Sequence, residues 1–177
     1  MLPATSSSSS SRHVSLPKTI EELIGRVCLA AIAQPETGGN LLLHFGRWQT
    51  YENPPDPGIA VSERGNWSLM IKCPWRLDSN TAVICDWRST GDAENARAEA
   101  HLSMEGLTVE DVELSHPGLD FRLRFSSGHQ LLMLCDSAGA YGDCWYLLRP
   151  DDSSVAATRD FRLVYEPPPT SAPGDDG

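Results

Sequence analysis

The feature that most constrains the fold is a two-residue alternation in the segment between Trp67 and Trp75. From residue 67 to residue 75 the apolar set is Trp67, Leu69, Ile71, Cys73 and Trp75, and the intervening set is Ser68, Met70, Lys72 and Pro74. This period is typical of a β-strand with one buried face. Shorter alternations occur over residues 121–125 and 161–165, and the runs 40–45 and 130–135 are apolar almost throughout. We therefore expect a mainly β (α+β) fold built from antiparallel strands.

The order of these runs repeats along the chain. The first half contains residues 27–33, 41–46 and 67–71, and the second half contains residues 109–114, 121–125 and 145–148. The separation is 80 residues between Phe45 and Phe125 and 78 between Trp67 and Trp145. The repeat predicts two similar antiparallel β-meander halves, about 26–87 and 107–165, which share one core or pack side by side. Trp67 and Trp145 are then expected at equivalent places. Because they lie in or beside predicted strands, these two residues, Trp48 and Trp87 are expected in the core.

Two helices and two tails complete the expected organisation. Residues 92–104 are rich in Ala and predict a short helix that joins the halves, and Thr19 and Glu22 form the capping box of another over 19–24. The Ser-rich residues 1–17 and the Pro-rich residues 167–177 have the composition of disordered tails. A single β-rich domain is expected over residues 18–166.

Composition excludes several functional classes. The 177 residues carry a formal net charge of −10, which argues against general nucleic-acid binding because that binding depends on Lys and Arg. The chain has no apolar run long enough to cross a membrane, and its first residues lack the apolar block of a signal peptide. We expect a cytoplasmic protein without a cofactor, in contact with neither nucleic acid nor membrane.

The five cysteines form no Cys-x-x-Cys pair, so reduced thiols are expected. Cys28, Cys73, Cys85 and Cys135 lie in apolar runs and are expected to be buried. Cys144, next to Gly142 and Asp143, is expected to be the most exposed.

The negative charge is concentrated in the second half, where residues 88–166 contain seven basic and fourteen acidic side chains. Acidity of this kind often serves only solubility. It also fits a surface that is complementary to a basic partner protein, since a face of one sign steers association. Glu110, Asp111 and Glu113 are the candidate residues of this surface.

The segment Cys73-Pro74-Trp75-Arg76 is the second candidate for a contact site. Pro74 cannot donate a hydrogen bond to a neighbouring strand, which predicts an edge or a bulge. Trp75 offers apolar area and Arg76 a planar donor, so the segment is either a latch between the halves or a contact hot spot. Tyr51, in the long predicted loop 49–66, is a further candidate anchor.

A search for catalytic residues finds no nucleophile elbow, phosphate-binding loop, dinucleotide fingerprint or paired metal-ligand spacing. His44 lies in an apolar strand and is expected to be a hydrogen-bonded core or edge residue rather than a ligand. We predict neither a metal nor a catalytic residue. The alternative is a small-molecule-binding protein or enzyme with a cavity between the halves and His44, Asp86 or Arg76 near its mouth.

Residues 65–76, together with the segments Leu107-Thr108-Val109 and 123–128, resemble a group of small uncharacterised bacterial proteins in which a strand ends in C-x-W-R. The resemblance spans about residues 20–165 and implies no particular activity. The acidic, β-rich chain is also vaguely similar to bacterial immunity and antitoxin proteins. This likeness implies a non-catalytic protein that neutralises a basic partner, and a subunit of a bacterial assembly is a third alternative. The oligomeric state does not follow from the sequence.

Overall fold

The fold is that of a computed structural model, which describes residues 18–34, 39–50, 63–88, 103–136 and 142–168. The Ser-rich tail, all but the first two residues of the Pro-rich tail, most of the predicted connecting helix and residues 51–62 of the predicted loop lie outside the described residues.

Strands dominate the described part of the chain. A one-turn helix, α1 (Lys18–Glu21), precedes eleven strands: β1 (Cys28–Gln34), β2 (Asn40–Thr50), β3 (Glu63–Ile71), β4 (Trp75–Asp78), β5 (Val83–Asp86), β6 (Val109–Leu114), β7 (Phe121–Phe125), β8 (Gln130–Met133), β9 (Asp143–Leu148), β10 (Ser154–Thr158) and β11 (Leu163–Glu166). The prediction of a mainly β fold is confirmed.

The strands form two antiparallel sheets. One has six strands in the order β1-β2-β3-β9-β10-β11, and the other has five in the order β5-β4-β8-β7-β6. The inward residues of both sheets belong to a single hydrophobic core, whose largest members are Trp67, Trp75, Trp145, Phe45, Phe121 and Phe125. The described residues between 18 and 166 therefore build one core rather than two.

Each half of the chain contributes to both sheets. The first half forms three strands of the six-stranded sheet, β1–β3, and then crosses to the other sheet as β4 and β5. The second half forms three strands of the five-stranded sheet, β6–β8, and then crosses back as β9 and β10. The two halves thus have the same topology and are related by a pseudo-two-fold axis, with β11 added at the end.

Hydrogen bonds at the start of each half obey the same symmetry. The N–H of Gly25 donates to the carbonyl of Val109, and the N–H of Gly106 donates to the carbonyl of Cys28, both at 2.8 Å. Gly25 and Gly106 have φ angles of 82° and 81°, a conformation that favours glycine. The Cys28–Phe45 and Val109–Phe125 pairs each sit next to a β-bulge, so Phe45 and Phe125 are equivalent.

The expected equivalence of Trp67 and Trp145 is wrong. Trp145 of β9 pairs with Ile71 of β3, and the equivalent pair in the other sheet is Trp75 of β4 with Met133 of β8. The counterpart of Trp145 is therefore Trp75. The place of Trp67, opposite Phe45, is taken in the second half by His129, whose carbonyl accepts from the Phe125 N–H at 2.9 Å. The connection from β8 to β9 is longer than that from β3 to β4, and this difference shifts the alignment after the crossover.

Three local expectations are also corrected. The alternation over residues 67–75 is not one strand, because β3 ends at Ile71 and the chain crosses to the other sheet before β4 begins at Trp75. Cys144 is only 3% exposed because its strand, β9, lies inside the six-stranded sheet. Trp48, expected in the core, is 49% exposed, because the β2–β3 ladder has a register shift between Phe45 and Trp48.

Candidate binding site

Four of the candidate contact residues lie on the solvent-facing side of the five-stranded sheet: Glu110, Asp111, Glu113 and Arg76. We call this side of the sheet the charged face. Residues directly opposite each other in neighbouring strands point to the same side of a sheet. The register aligns Glu113, Arg122, Leu132, Arg76 and Asp86 in one row across all five strands. A second row contains Asp111, Arg124, Gln130 and Asp78.

Ion pairs join the charges along these rows. Arg124 donates to Asp111, with the Nε–Oδ2 distance at 3.0 Å, and Arg122 donates to Glu113 at 2.9 Å. Arg76 binds both carboxylate oxygens of Asp78, at 2.8 Å. Asp111 and Asp78 raise the pKa of Arg124 and Arg76, respectively, mainly through these hydrogen bonds. Arg124 and Arg76 therefore stay charged at physiological pH.

The pairing changes what the predicted acidic surface can do. Asp111 and Glu113 already neutralise Arg124 and Arg122, and of the three candidate carboxylates only Glu110 has no ion pair among the described residues. Pairs this exposed contribute little, typically below about 1 kcal/mol, so they can be exchanged for pairs with a partner. The charged face therefore offers both signs in a fixed pattern rather than a uniformly negative surface.

A groove of about 600 Å³ opens on this face where the two halves of the chain meet. We call it the β4–β8 groove. Its lining comes from the first half through Pro74, Trp75, Arg76, Asp86, Trp87 and Arg88, and from the second half through Leu132, Leu134 and Asp136.

The groove combines apolar area with charge. Leu134 is 51% exposed, and Leu132 and Trp87 add partly buried apolar surface beside it. The guanidinium of Arg88 lies 5.0 Å from the centre of the Trp87 ring, and the backbone N–H of Arg88 donates to Asp86 at 2.9 Å. No ion pair among the described residues involves Arg88, so its charge can meet an incoming anion.

Of the two predicted anchors in the Cys73–Arg76 segment, only Arg76 presents its side chain. Trp75 is 2% exposed and donates its indole N–H to the carbonyl of Gly39 at 2.7 Å. Trp75 therefore joins β4 to the start of β2 as a latch. Tyr51 lies outside the described residues.

Trp87, Arg88 and Leu134 are among the groove residues that the sequence did not predict. Leu134 lies in an apolar run that predicts burial, and nothing local marks its position just beyond β8 as solvent-facing. Trp87 is expected in the core, but it follows the last residue of β5, in the triplet Asp86-Trp87-Arg88, and is only partly buried. The triplet of acid, aromatic and base was the only available signal.

His44 and Ser68 form a separate polar pair on the outer side of the six-stranded sheet. His44 Nδ1 lies 2.9 Å from Ser68 Oγ, and both residues are buried. His44 is therefore hydrogen-bonded, but it lies outside the hydrophobic core that the two sheets share. Burial lowers the pKa of His44 to about 4, and the charge of Arg64 acts in the same direction. No carboxylate hydrogen-bonds to either residue among the described ones, and His44 does not line the groove.

Among the described residues no group of three or more His, Cys, Asp or Glu side chains could hold a metal ion. Within the same residues, no helix has the length and apolar character needed to cross a membrane. Comparison of the chain with protein-family models, with curated proteins and with solved structures gives no match. The resemblance to small bacterial proteins therefore stays a prediction, and function has to be argued from the site.

Proposed function

We propose that this chain is a non-catalytic protein-binding protein that uses the charged face and the β4–β8 groove to hold another protein. The observation that carries the proposal is the groove itself, because it joins an exposed Leu134 to the Trp87–Arg88 stack. Trp and Arg are the residues that most often dominate protein interfaces, and an apolar centre with a charged rim is the usual anatomy of such a site.

The partner that best fits is a protein with a basic surface and one apolar side chain to insert. Glu110, Asp111 and Glu113 lie on the edge strand β6, and the groove lies toward the opposite edge of the same sheet. A partner that spans the sheet would place basic groups near the carboxylates and an apolar group against Leu134. An immunity-like role, in which the protein neutralises a basic toxin or effector in a bacterial cytoplasm, is the specific form of this proposal.

Affinity capture tests the proposal when it compares two matched variants. Leu134→Asp puts a charge in the groove, and Val164→Asp puts the same charge at an exposed apolar residue of the six-stranded sheet. A partner captured from the host lysate should bind Leu134→Asp at least about 30-fold more weakly, as is usual for a hot spot, and should bind Val164→Asp normally. Loss of binding in Val164→Asp alone would contradict the proposal.

The acidic half of the proposal has a separate test. The triple variant Glu110→Lys, Asp111→Lys and Glu113→Lys should associate more slowly with the same partner, and added salt should no longer slow the association, because steering by charge acts mainly on the association rate. Unchanged association of this triple variant would show that the three carboxylates do not belong to the site. The proposal for the groove would be unaffected.

A small-molecule-binding protein is the second candidate, and the presence of both Arg76 and Asp86 in the groove favours it. The Trp87–Arg88 stack would suit a ligand with an aromatic ring and an anionic group. The fluorescent aromatic sulfonate 8-anilinonaphthalene-1-sulfonate is a suitable probe. Saturable binding that is lost in Arg88→Glu and retained in Val164→Asp would favour this candidate over a protein partner.

A further inference from the structure

We propose that Cys73 and Cys135 form a cross-strand disulfide bond when the protein meets a small disulfide oxidant. The five cysteines are unpaired thiols in the structure. Cys73 and Cys135 lie where the two halves of the chain cross between the sheets, and they are counterparts under the pseudo-two-fold symmetry.

The backbone register places the two residues opposite each other. Trp75 faces Met133, and the N–H of Leu134 donates to the carbonyl of Pro74 at 2.8 Å. The next pair outward in the same register is Cys73 and Cys135. Because the Pro74–Leu134 pair is hydrogen-bonded, the cysteine pair is of the non-hydrogen-bonded type, in which the side chains of antiparallel strands lie closest.

Side-chain contacts agree with the backbone. The neighbouring thiol of Cys73 raises the pKa of Cys135 more than any other group does, and the thiol of Cys144 has a smaller effect in the opposite direction, so both thiols lie close to that of Cys135. Cys144 belongs to the other ladder, since its carbonyl accepts from the Lys72 N–H at 2.8 Å. Cys144 therefore borders the pair without standing opposite Cys135 in a strand register.

Access decides which thiol reacts first. Cys73 and Cys144 are buried, whereas Cys135 is partly exposed. The thiolate of Cys135 attacks one sulfur of an oxidant RSSR, forms a mixed disulfide and releases RS⁻. The thiolate of Cys73 then attacks the Cys135 sulfur and releases the second RS⁻. The two protein thiols lose two electrons and two protons, and RSSR becomes two RSH.

The reaction should be slow at neutral pH. Hydrogen bonding with Cys73 and burial raise the pKa of Cys135, so little thiolate is present. The rate should rise about tenfold for each pH unit while the attacking thiol is mostly protonated. The reduced state is then the resting state, and the bond forms only under sustained oxidation.

Oxidised glutathione with the full chain tests the inference. Titration of thiols after denaturation should fall from five to three, and a non-reducing digest should join the peptides that contain Cys73 and Cys135. Chymotrypsin is suitable because cleavage after Tyr141 separates Cys135 from Cys144. The melting temperature of the oxidised form should rise, since the bond joins positions 62 residues apart.

Serine variants provide the controls. Cys73→Ser and Cys135→Ser should keep all four remaining thiols, whereas Cys144→Ser and Cys28→Ser should each fall from four to two. A Cys135–Cys144 linkage, bond formation in Cys73→Ser, or five thiols after prolonged oxidation at pH 8.5 would each overturn the inference.

Discussion

Trp75 and Trp145 make the same hydrogen bond in the two halves of the chain. Trp75 donates its indole N–H to the carbonyl of Gly39 at 2.7 Å, and Trp145 donates to the carbonyl of Leu119 at 3.2 Å. Each acceptor precedes the second strand of a half and has a positive φ, 93° for Gly39 and 54° for Leu119. In each half, therefore, the indole N–H binds the strand that follows the crossover to the opposite sheet.

Replacing either indole with phenylalanine should destabilise the protein. Trp75→Phe and Trp145→Phe each remove a buried N–H donor, which leaves a backbone carbonyl unsatisfied and costs about 1–3 kcal/mol. Urea unfolding measures the loss. Trp48→Phe is the control, because Trp48 is half exposed, and it should change the free energy of unfolding by less than about 0.5 kcal/mol. Equal losses in all three variants would argue against the latch.

His44 should make the protein less stable in acid. Its pKa is about 4 in the fold, below its ordinary value of 6.5, so the unfolded state binds more protons as the pH falls. The stability linked to His44 is fully present above about pH 6.5 and is lost progressively toward pH 4, by roughly 3 kcal/mol in total.

A pair of histidine variants isolates this effect from the titration of carboxylates. Urea unfolding at several pH values between 7 and 4 should show a shallower slope for His44→Gln than for the unaltered protein. His116→Gln, which changes an exposed histidine, should leave the slope as it was. A slope that is unchanged in His44→Gln would mean that His44 is accessible to protons in the folded state.

Gly65 is required by close packing of backbone. A Cβ at this position would lie 2.8 Å from both the N and the O of Phe45, and backbone atoms cannot move aside easily. Gly65→Ala should therefore reduce the free energy of unfolding by about 1–3 kcal/mol, as overpacking usually does. Gly142→Ala is the matched control, because no atom lies within 4 Å of its added Cβ. Thermal melting compares the two variants directly.

The variants of the charged face should fold normally. Arg122 and Glu113 form an exposed pair, so Glu113→Lys should change the free energy of unfolding by no more than about 1 kcal/mol. Circular dichroism and urea unfolding check this. A large loss of stability in Glu113→Lys would assign the ion pair to the fold rather than to binding.

Alternating residues predicted the strands well because one face of each sheet is buried. Phe121–Phe125 is β7 as expected, and the Phe45–Phe125 match identified the repeat. The same alternation concealed the crossover, since Cys73 and Trp75 are also buried after the chain leaves β3. A period of two indicates that alternate residues are buried, but it does not indicate to which of the two sheets they belong.

The site was harder to predict than the fold. The Trp-Arg pair predicts two contact residues, and the structure places Arg76 at the groove but buries Trp75. Leu134 comes from the other half of the chain, and no local pattern connects it with Trp87. The grouping depends on the pairing of β4 with β8, a contact between distant segments that the sequence does not encode locally.

Hydroxyl-radical footprinting of the full chain, alone and with its captured partner, tests the proposed site most directly. The labelling rates of Leu134 and Trp87 should fall several-fold in the complex, and those of Val164 and Tyr165 on β11 should stay the same. Protection confined to β11, with Leu134 and Trp87 still fully labelled, would contradict the proposed site.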